Sequence, residues 1–217
     1  SKTYDTAKPE HILCFAGAEE GIYVAMRVLL NHNDHAIIVV PNYQAAETIP
    51  LDICEVSGVP LNPEENWTLD IDRVKNAIRP NTKLISINFP NNPTGAILSR
   101  ERLDELIKIC RSRGLYLFSD EVYRLLERDT QLRLPQIADI YERGLSLNVM
   151  SKAYGLPGLR LGWIMCKEET ILQNMERYKH YLSICNSAPS EHLSMIALKV
   201  KQQILERNRT LINANIK

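Results

Sequence analysis

Short, β-rich apolar runs alternate along this chain with longer amphipathic stretches, and this alternation narrows the possible folds more than any other property. Five runs are typical of buried strands, at residues 36–40, 83–88, 115–118, 145–149 and 162–166, and a weaker one covers 53–56. Strands that alternate with helices favour an open, mostly parallel sheet with helices on both faces. We therefore expect an α/β fold.

Helices are predicted between the strands, and the clearest covers residues 99–113. Ser99 can cap its start, Gly114 can end it, and apolar residues at helical spacing form one stripe between them. Residues 70–78 and 20–30 predict two further helices. Pro189 is expected to open a last long helix that runs from about residue 190 to 217.

Composition excludes several classes of function. The chain has 217 residues, of which 26 are Lys or Arg and 26 are Asp or Glu, so its net charge is zero. This balance argues against a nucleic-acid partner, and no apolar run approaches the ~20 residues of a membrane span. Five cysteines without a CxxC pair indicate reduced thiols in a cytoplasmic protein. The histidines have no metal-binding spacing, so we expect no metal.

Three polar residues follow the ends of predicted strands. Asn92 comes after the strand that ends near Asn88, Asp120 after the strand that ends at residue 118, and Lys152 after the strand that ends near residue 150. Open α/β sheets form their ligand crevice at the carboxyl ends of the strands. Taken singly, these residues have plainer interpretations as a turn, a helix cap and a solvated surface lysine. Together they predict a ligand site.

The segments around these residues carry a family resemblance. Residues 88–95 read N-F-P-N-N-P-T-G, residues 119–124 read S-D-E-V-Y-R, and residues 151–163 read S-K-A-Y-G-L-P-G-L-R-L-G-W. In this order they resemble the cofactor site of pyridoxal-phosphate (PLP) aminotransferases of the aspartate aminotransferase superfamily, fold type I, class I/II. The resemblance implies a three-layer αβα fold, and PLP as the cofactor.

The resemblance also implies a role for each motif residue. Lys152 would hold the cofactor aldehyde as a Schiff base and later move the substrate α-proton. Asp120 would keep the pyridine nitrogen protonated, with Glu121 as the weaker candidate for that contact. Tyr123 and Asn92 would hydrogen-bond the phenolic oxygen and so lower the pKa of the Schiff base. Lys152, Asp120 and Tyr123 are thus the expected catalytic residues.

The phosphate is expected to lie between Arg160 and a helix start. Arg160 offers a planar fork to the dianion, and residues 16–22 resemble the family's G-A-T-E-A-I turn, which assigns Gly17, Ala18 and Glu19 to the phosphate. Glu19 stands where relatives have Thr, so its side chain is expected to turn away from the phosphate, or the alignment shifts by one residue.

Two further residues are expected at the cofactor. Val149 stands where many relatives have a phosphate-binding Ser, and Ser151 is expected to take over part of that role. Tyr43 matches the residue whose ring stacks on the pyridine, and the alternative is a core tyrosine at a helix start.

Residues 1–217 correspond to the large, cofactor-binding domain of the family, without the small domain. We expect a large domain truncated at both ends, with the helix from about residue 190 leading towards the missing small domain. Amino acids and 2-oxo acids would be the substrates, and a homodimer the assembly. Two alternatives stay open, namely another PLP reaction on the same scaffold (a lyase, cyclase or synthase) and a non-catalytic, PLP-sensing regulatory domain.

Overall fold

The computed structural model describes residues 4–216, and its strands and helices alternate as the sequence predicts. The strands are β1 (Ile12–Phe15), β2 (His35–Val40), β3 (Glu55–Pro60), β4 (Thr82–Asn88), β5 (Tyr116–Asp120), β6 (Gly144–Val149) and β7 (Gly162–Cys166). The α-helices are α1 (Ala18–Leu29), α2 (Gln44–Leu51), α3 (Ile71–Ala77), α4 (Arg100–Arg113), α5 (Ile137–Ile140), α6 (Glu169–Lys179), α7 (Ala188–Lys199) and α8 (Lys201–Asn215). Short 3-10 helices cover Pro9–His11, Pro63–Glu65, Thr130–Leu132 and Pro157–Leu159.

These strands form a single sheet in the order β1-β7-β6-β5-β4-β2-β3. The neighbours from β3 to β6 pair in parallel, whereas β7 runs antiparallel to both β1 and β6. The expected α/β class with a mostly parallel sheet is confirmed. The sequence prediction missed β1 and misplaced β3, which are the two edge strands. β1 is apolar but only four residues long, and β3 alternates little because most of its positions are exposed or half-buried.

The sheet separates two hydrophobic layers, so the architecture is the expected three-layer αβα arrangement. Helices α1 and α6 contribute Ile22, Met26 and Met175 to the layer on one face. Helices α3 and α4 contribute residues such as Val74 and Leu106 to the layer on the other. Successive strand residues point to opposite faces, so in β5 Phe118 belongs to the first layer and Leu117 to the second.

Helix α4 shows how local sequence fixes an element. The Arg102 N–H donates to the Ser99 hydroxyl at 3.3 Å, which caps the start of the helix. Gly114 ends it with a left-handed φ of 65° that a residue with a Cβ adopts only under strain. The stripe of apolar residues between these caps is buried against the sheet. The predicted helix at 99–113 is confirmed.

The last predicted helix is wrong in one respect, because it breaks at Val200 into α7 and α8. Pro189 does lie in the first turn of α7, as expected. Beyond the break, α8 packs against the turn after Lys152, where the Asn208 side-chain amide donates to the Ala153 carbonyl at 2.9 Å. The sequence pattern did not reveal the break, since Val200 interrupts neither the polarity nor the length of the helical stretch.

Within residues 4–216, no helix combines the length and apolar character needed to cross a bilayer. The same part of the chain holds no cluster of three or more His, Cys, Asp or Glu side chains suited to a metal ion. All five cysteines are free thiols. Burial raises the pKa of Cys110 to about 12 and that of Cys166 to about 11, so both are unreactive core residues.

Candidate active site

A cleft of about 230 Å³ opens at the carboxyl ends of β4, β5 and β6. Open α/β sheets bind ligands at this edge, because the strands end there in loops that leave a crevice. The cleft is lined by Ala18, Glu19, Ile22, Tyr43, Asn88, Asn92, Asp120, Val122, Tyr123, Val149, Ser151, Lys152, Pro157 and Arg160. The structure thus brings together every expected site residue except Gly17, which lies directly behind Arg160.

Asp120 ends β5 and points into this cleft. Its side chain is buried, and the Val122 N–H donates to Oδ1 at 3.1 Å. Burial raises the pKa of Asp120 to about 7, opposed by the Val122 hydrogen bond and by the positive charge of Lys152. A buried carboxyl group with a raised pKa favours a cationic partner, because pairing with a cation would offset the cost of burying its negative charge.

Glu121 lies on the opposite face of the sheet. Its Oε1 accepts hydrogen bonds from the Ile137 N–H and the Ser146 hydroxyl, both at 2.9 Å. Burial raises the pKa of Glu121 to about 7 as well, although these hydrogen bonds lower it in part. Because consecutive residues at a strand end point to opposite faces, only Asp120 of this pair reaches the cleft.

Lys152 and Tyr123 face one another across the cleft. Lys152 lies on the turn after β6, and its Nζ is 5.6 Å from the centroid of the Tyr123 ring. This distance is within the range of a cation–π contact. Lys152 is exposed, so its amine is accessible from the cleft.

Arg160 and the start of α1 form a positively polarised corner. Arg160 has a left-handed φ of 46°, and its Nη1 donates to the Ser151 hydroxyl at 3.4 Å. The guanidinium lies against Gly17, where an added Cβ would be 2.6 Å from Nη2. No side chain caps the start of α1, so its first backbone N–H groups remain available to an anion.

Glu19 lines the cleft, and its carboxylate is directed to the Tyr43 hydroxyl. The Tyr43 hydroxyl donates a hydrogen bond to the Glu19 carboxylate, and this contact is the largest cause of the raised pKa of Tyr43. Glu19 also lines the cleft and helps to raise the pKa of Asp120. A carboxylate is favourable in the first turn of a helix, which together with the Tyr43 hydroxyl explains why it stays.

The sequence analysis did not predict some of the residues that line the cleft. Asn88 is 1% exposed and contributes its amide to the cleft, while Ile22 and Val122 contribute apolar walls. The position of Asn88 at the end of a predicted strand was the only available signal for it. The apolar residues gave no signal, since buried side chains at a strand end look like ordinary core.

The comparisons with known proteins agree with this geometry. Residues 2–217 match the family model described as aminotransferase class I and II. A crystal structure of a PLP-dependent aminotransferase from Streptococcus suis 89-1591 superposes with a TM-score of 0.93 at 36% identity, covering 99% of this chain and 57% of that one.

Curated relatives give the same family. A probable kynurenine–oxoglutarate transaminase of Saccharomyces cerevisiae is 32% identical over 88% of this chain and 46% of its own length. An aspartate aminotransferase of Pyrococcus horikoshii is 32% identical over 75% of this chain and 42% of its own length. The chain therefore spans about half the length of the curated relatives it matches. On its sequence, its fold and its cleft, this chain belongs to the class I and II aminotransferase family.

Proposed function

We propose that this chain is the cofactor-binding domain of a PLP-dependent aminotransferase, which moves an amino group between an amino acid and a 2-oxo acid. One observation carries the proposal, namely that Lys152, Asp120, Tyr123, Asn92 and Arg160 line a single cleft at the strand ends. These residues come from three loops far apart in sequence. Family membership supports the same reaction.

The residues of the cleft fit the polar groups of PLP. The corner formed by Arg160 and the start of α1 suits a phosphate dianion, since it offers a guanidinium and uncapped N–H groups. The buried carboxyl of Asp120 suits the ring nitrogen. Glu19 is the one poor fit, because its negative charge lies in the same cleft as the phosphate. Its hydrogen bond from Tyr43 offsets part of that disadvantage.

Each residue then has a distinct task. PLP, when bound, supplies an electron sink for the bonds at the substrate Cα. Lys152 would hold the cofactor covalently through its amine, and the same amine, once free, would carry the proton removed from Cα. Asp120 would keep the ring nitrogen protonated, because a buried carboxylate is stabilised by a cation beside it.

The remaining polar residues orient the cofactor. Tyr123 and Asn92 would donate hydrogen bonds to the phenolic oxygen of the cofactor. These bonds would favour its anionic form and so lower the pKa of the Lys152 attachment towards neutral pH. We assign Ser151, Gly17 and Ala18 to the phosphate alongside Arg160. Tyr43 is assigned to the open face of the ring.

Several properties of the whole protein follow as part of the same proposal. The chain would be the large domain of a longer enzyme, which works as a homodimer in the cytoplasm. Five free cysteines support a reducing compartment. A sedimentation measurement on the full-length enzyme tests the dimer directly.

The first experiment locates the covalent attachment. PLP added to this chain should give a visible absorption band, and borohydride reduction followed by peptide mass mapping should place the adduct on Lys152. Lys152→Ala should give neither band nor adduct, whereas Lys108→Ala, which removes an exposed lysine of α4, should give both. An adduct that persists in Lys152→Ala would refute the assignment.

A second experiment separates transamination from other reactions of PLP. The full-length enzyme is assayed with a panel of amino acids and a 2-oxo acid acceptor. Without the acceptor, we expect equal amounts of a new 2-oxo acid and of pyridoxamine phosphate. With the acceptor, the amino group should appear on the acceptor and PLP should be regenerated. Release of ammonia or of a leaving group instead would indicate a lyase, and binding without turnover of any substrate would indicate a regulatory protein.

A further inference from the structure

We propose that Asn88 is a positioning residue that holds Asp120 and Asn92 at a fixed separation across the cleft. The inference rests on the proposed function, because it concerns the two residues assigned there to the ring nitrogen and the phenolic oxygen. Asn88 itself need not touch the cofactor for this role. Its effect is exerted through the atoms that it hydrogen-bonds.

The first contact of Asn88 is with the end of β5. Asn88 ends β4 and is the direct strand partner of Asp120 in the parallel β4–β5 pair. Its side-chain Nδ2 donates to the Asp120 carbonyl at 3.0 Å, and the next backbone group, the Phe89 N–H, donates to the same oxygen at 3.3 Å. The backbone of Asp120 is therefore fixed at the point where its side chain enters the cleft.

The second contact is with the loop that carries Asn92. The Asn92 N–H donates to the Asn88 Oδ1 at 2.7 Å. Asn88 is 1% exposed, so water cannot readily replace either of its hydrogen bonds. One side chain thus bridges the two residues that would grip opposite edges of the cofactor ring.

Only an asparagine supplies this bridge without other changes. The bridge needs one donor and one acceptor on a short planar fork, which is the amide of Asn. Aspartate would keep the acceptor for Asn92 but would place a second oxygen against the Asp120 carbonyl. Alanine would remove both contacts and leave a buried carbonyl and a buried N–H with fewer partners.

The bridge should set the pKa of the Lys152 adduct. A protonated ring nitrogen and a hydrogen-bonded phenolic oxygen both lower the pKa at which the adduct loses its proton. If both Asp120 and Asn92 lose their fixed positions, the ring nitrogen and the phenolic oxygen are both held less well, and each loss raises the pKa of the adduct. Removal of the Asn88 side chain should therefore raise this pKa. If Asn88 only stabilised the fold, its removal would leave this pKa unchanged.

Asn91 provides a matched control in the same loop. It is 4% exposed, and its Nδ2 donates to the Pro41 carbonyl at 3.1 Å and to the Asn88 carbonyl at 3.3 Å. Its Oδ1 accepts from the N–H and the hydroxyl of Thr94. None of these side-chain contacts reaches Asp120 or Asn92. Asn91→Ala therefore removes a comparable buried amide without cutting the bridge.

The test compares Asn88→Ala, Asn88→Asp and Asn91→Ala in this chain loaded with PLP. The visible band of the Lys152 adduct is titrated with pH, and urea unfolding of the cofactor-free proteins measures stability. We expect both Ala variants to lower the urea midpoint, but only Asn88→Ala to raise the adduct pKa, by about half a pH unit or more. Asn88→Asp loses the contact with the Asp120 carbonyl and adds a negative charge near the adduct, so it should also raise the adduct pKa.

Equal adduct pKa values in wild type and Asn88→Ala would overturn the inference, as would an equal rise in Asn91→Ala. If Asn88→Ala does not fold, an Asn88→Asp protein with the wild-type pKa overturns it. These results are distinct from a failure of the proposed function. In that case wild type itself would form no adduct at Lys152, whereas here the adduct forms and its pKa is the quantity compared.

Discussion

Asp120 and Glu121 are adjacent carboxyl groups on opposite faces of the sheet, and each has a pKa of about 7 because burial disfavours its charge. A carboxyl group whose pKa is raised by folding binds its proton more tightly in the folded chain than in the unfolded one. The stability that this proton contributes is complete at low pH, and it is lost as the pH rises through 7. Without its cofactor, the protein should thus be less stable at pH 8 than at pH 5 on account of these two groups.

Substitution of Asp120 tests this directly. Asp120→Asn removes the charge that must be buried above pH 7, so the cofactor-free variant should be more stable than wild type at pH 8 by about 2–4 kcal/mol. The two proteins should differ far less at pH 5. Urea unfolding at both values measures the difference, and Asp5→Asn, at an exposed position, is the control. A lower stability of Asp120→Asn at pH 8 would contradict the burial argument.

The positions of the proposed catalytic residues were easier to predict from sequence than those of the residues that support them. Lys152 and Asp120 lie in distinctive segments, and their placement after strand ends needed only the strand pattern. The contacts of Asn88 depend on which residue of β5 lies opposite it, and the register of two strands cannot be predicted from the sequence of one of them. The orientation of Glu19 depends on Tyr43, which comes from a separate helix.

Strand β7 and helix α1 approach one another so closely that only glycine is accommodated at their contact. An added Cβ on Gly162 would be 2.8 Å from the carbonyl carbon of Gly17 and 2.9 Å from the nitrogen of Ala18. These atoms are backbone, so they cannot rotate away as a side chain would. The start of β7 therefore fixes the position of the proposed phosphate corner.

Gly162→Ala should displace the start of α1 and weaken PLP binding by tenfold or more, a loss of about 1.4 kcal/mol. Gly158→Ala is the matched control, because an added Cβ there has no atom within 4 Å. Titration of the visible band gives both affinities. Equal affinities in the two variants would show that the contact does not control the phosphate corner.

Elements with strong local signals were predicted well, and elements defined by tertiary contacts were not. Helix α4 has a capping serine, a terminal glycine and a full apolar stripe, so its bounds could be predicted closely. Strand β1 is only four residues long, and it is held by its pairing with β7. The break between α7 and α8 reflects the packing of α8 on the turn at residues 153–155, which no local pattern encodes.

At the scale of the whole molecule, the C-terminal helix supports the cleft. The Asn208 amide donates to the Ala153 carbonyl, and Gly155, with a φ of 65°, lies against the same side chain. Helix α8 thus contacts the turn that carries Lys152. Helix α8 and the turn of Lys152 are therefore mechanically linked, although they are distant in sequence.

Asn208→Ala should loosen this turn. We expect the amide hydrogens of residues 153–156 to exchange about fivefold faster, because the loss of one hydrogen bond costs roughly 1 kcal/mol. Glu206→Ala, at an exposed position of the same helix, should leave their exchange unchanged. Hydrogen exchange followed by mass spectrometry resolves this segment. Uniform acceleration throughout the chain would instead indicate global destabilisation.

The antiparallel direction of β7 has a consequence for how such a site is inherited. Since β7 returns directly from the end of β6, the twelve or so residues between these strands include both Lys152 and Arg160. The residues proposed to bind the cofactor aldehyde and the phosphate thus belong to one continuous segment of the chain. A single recombination event could carry both into another scaffold, with the spacing between them already matched to one ligand.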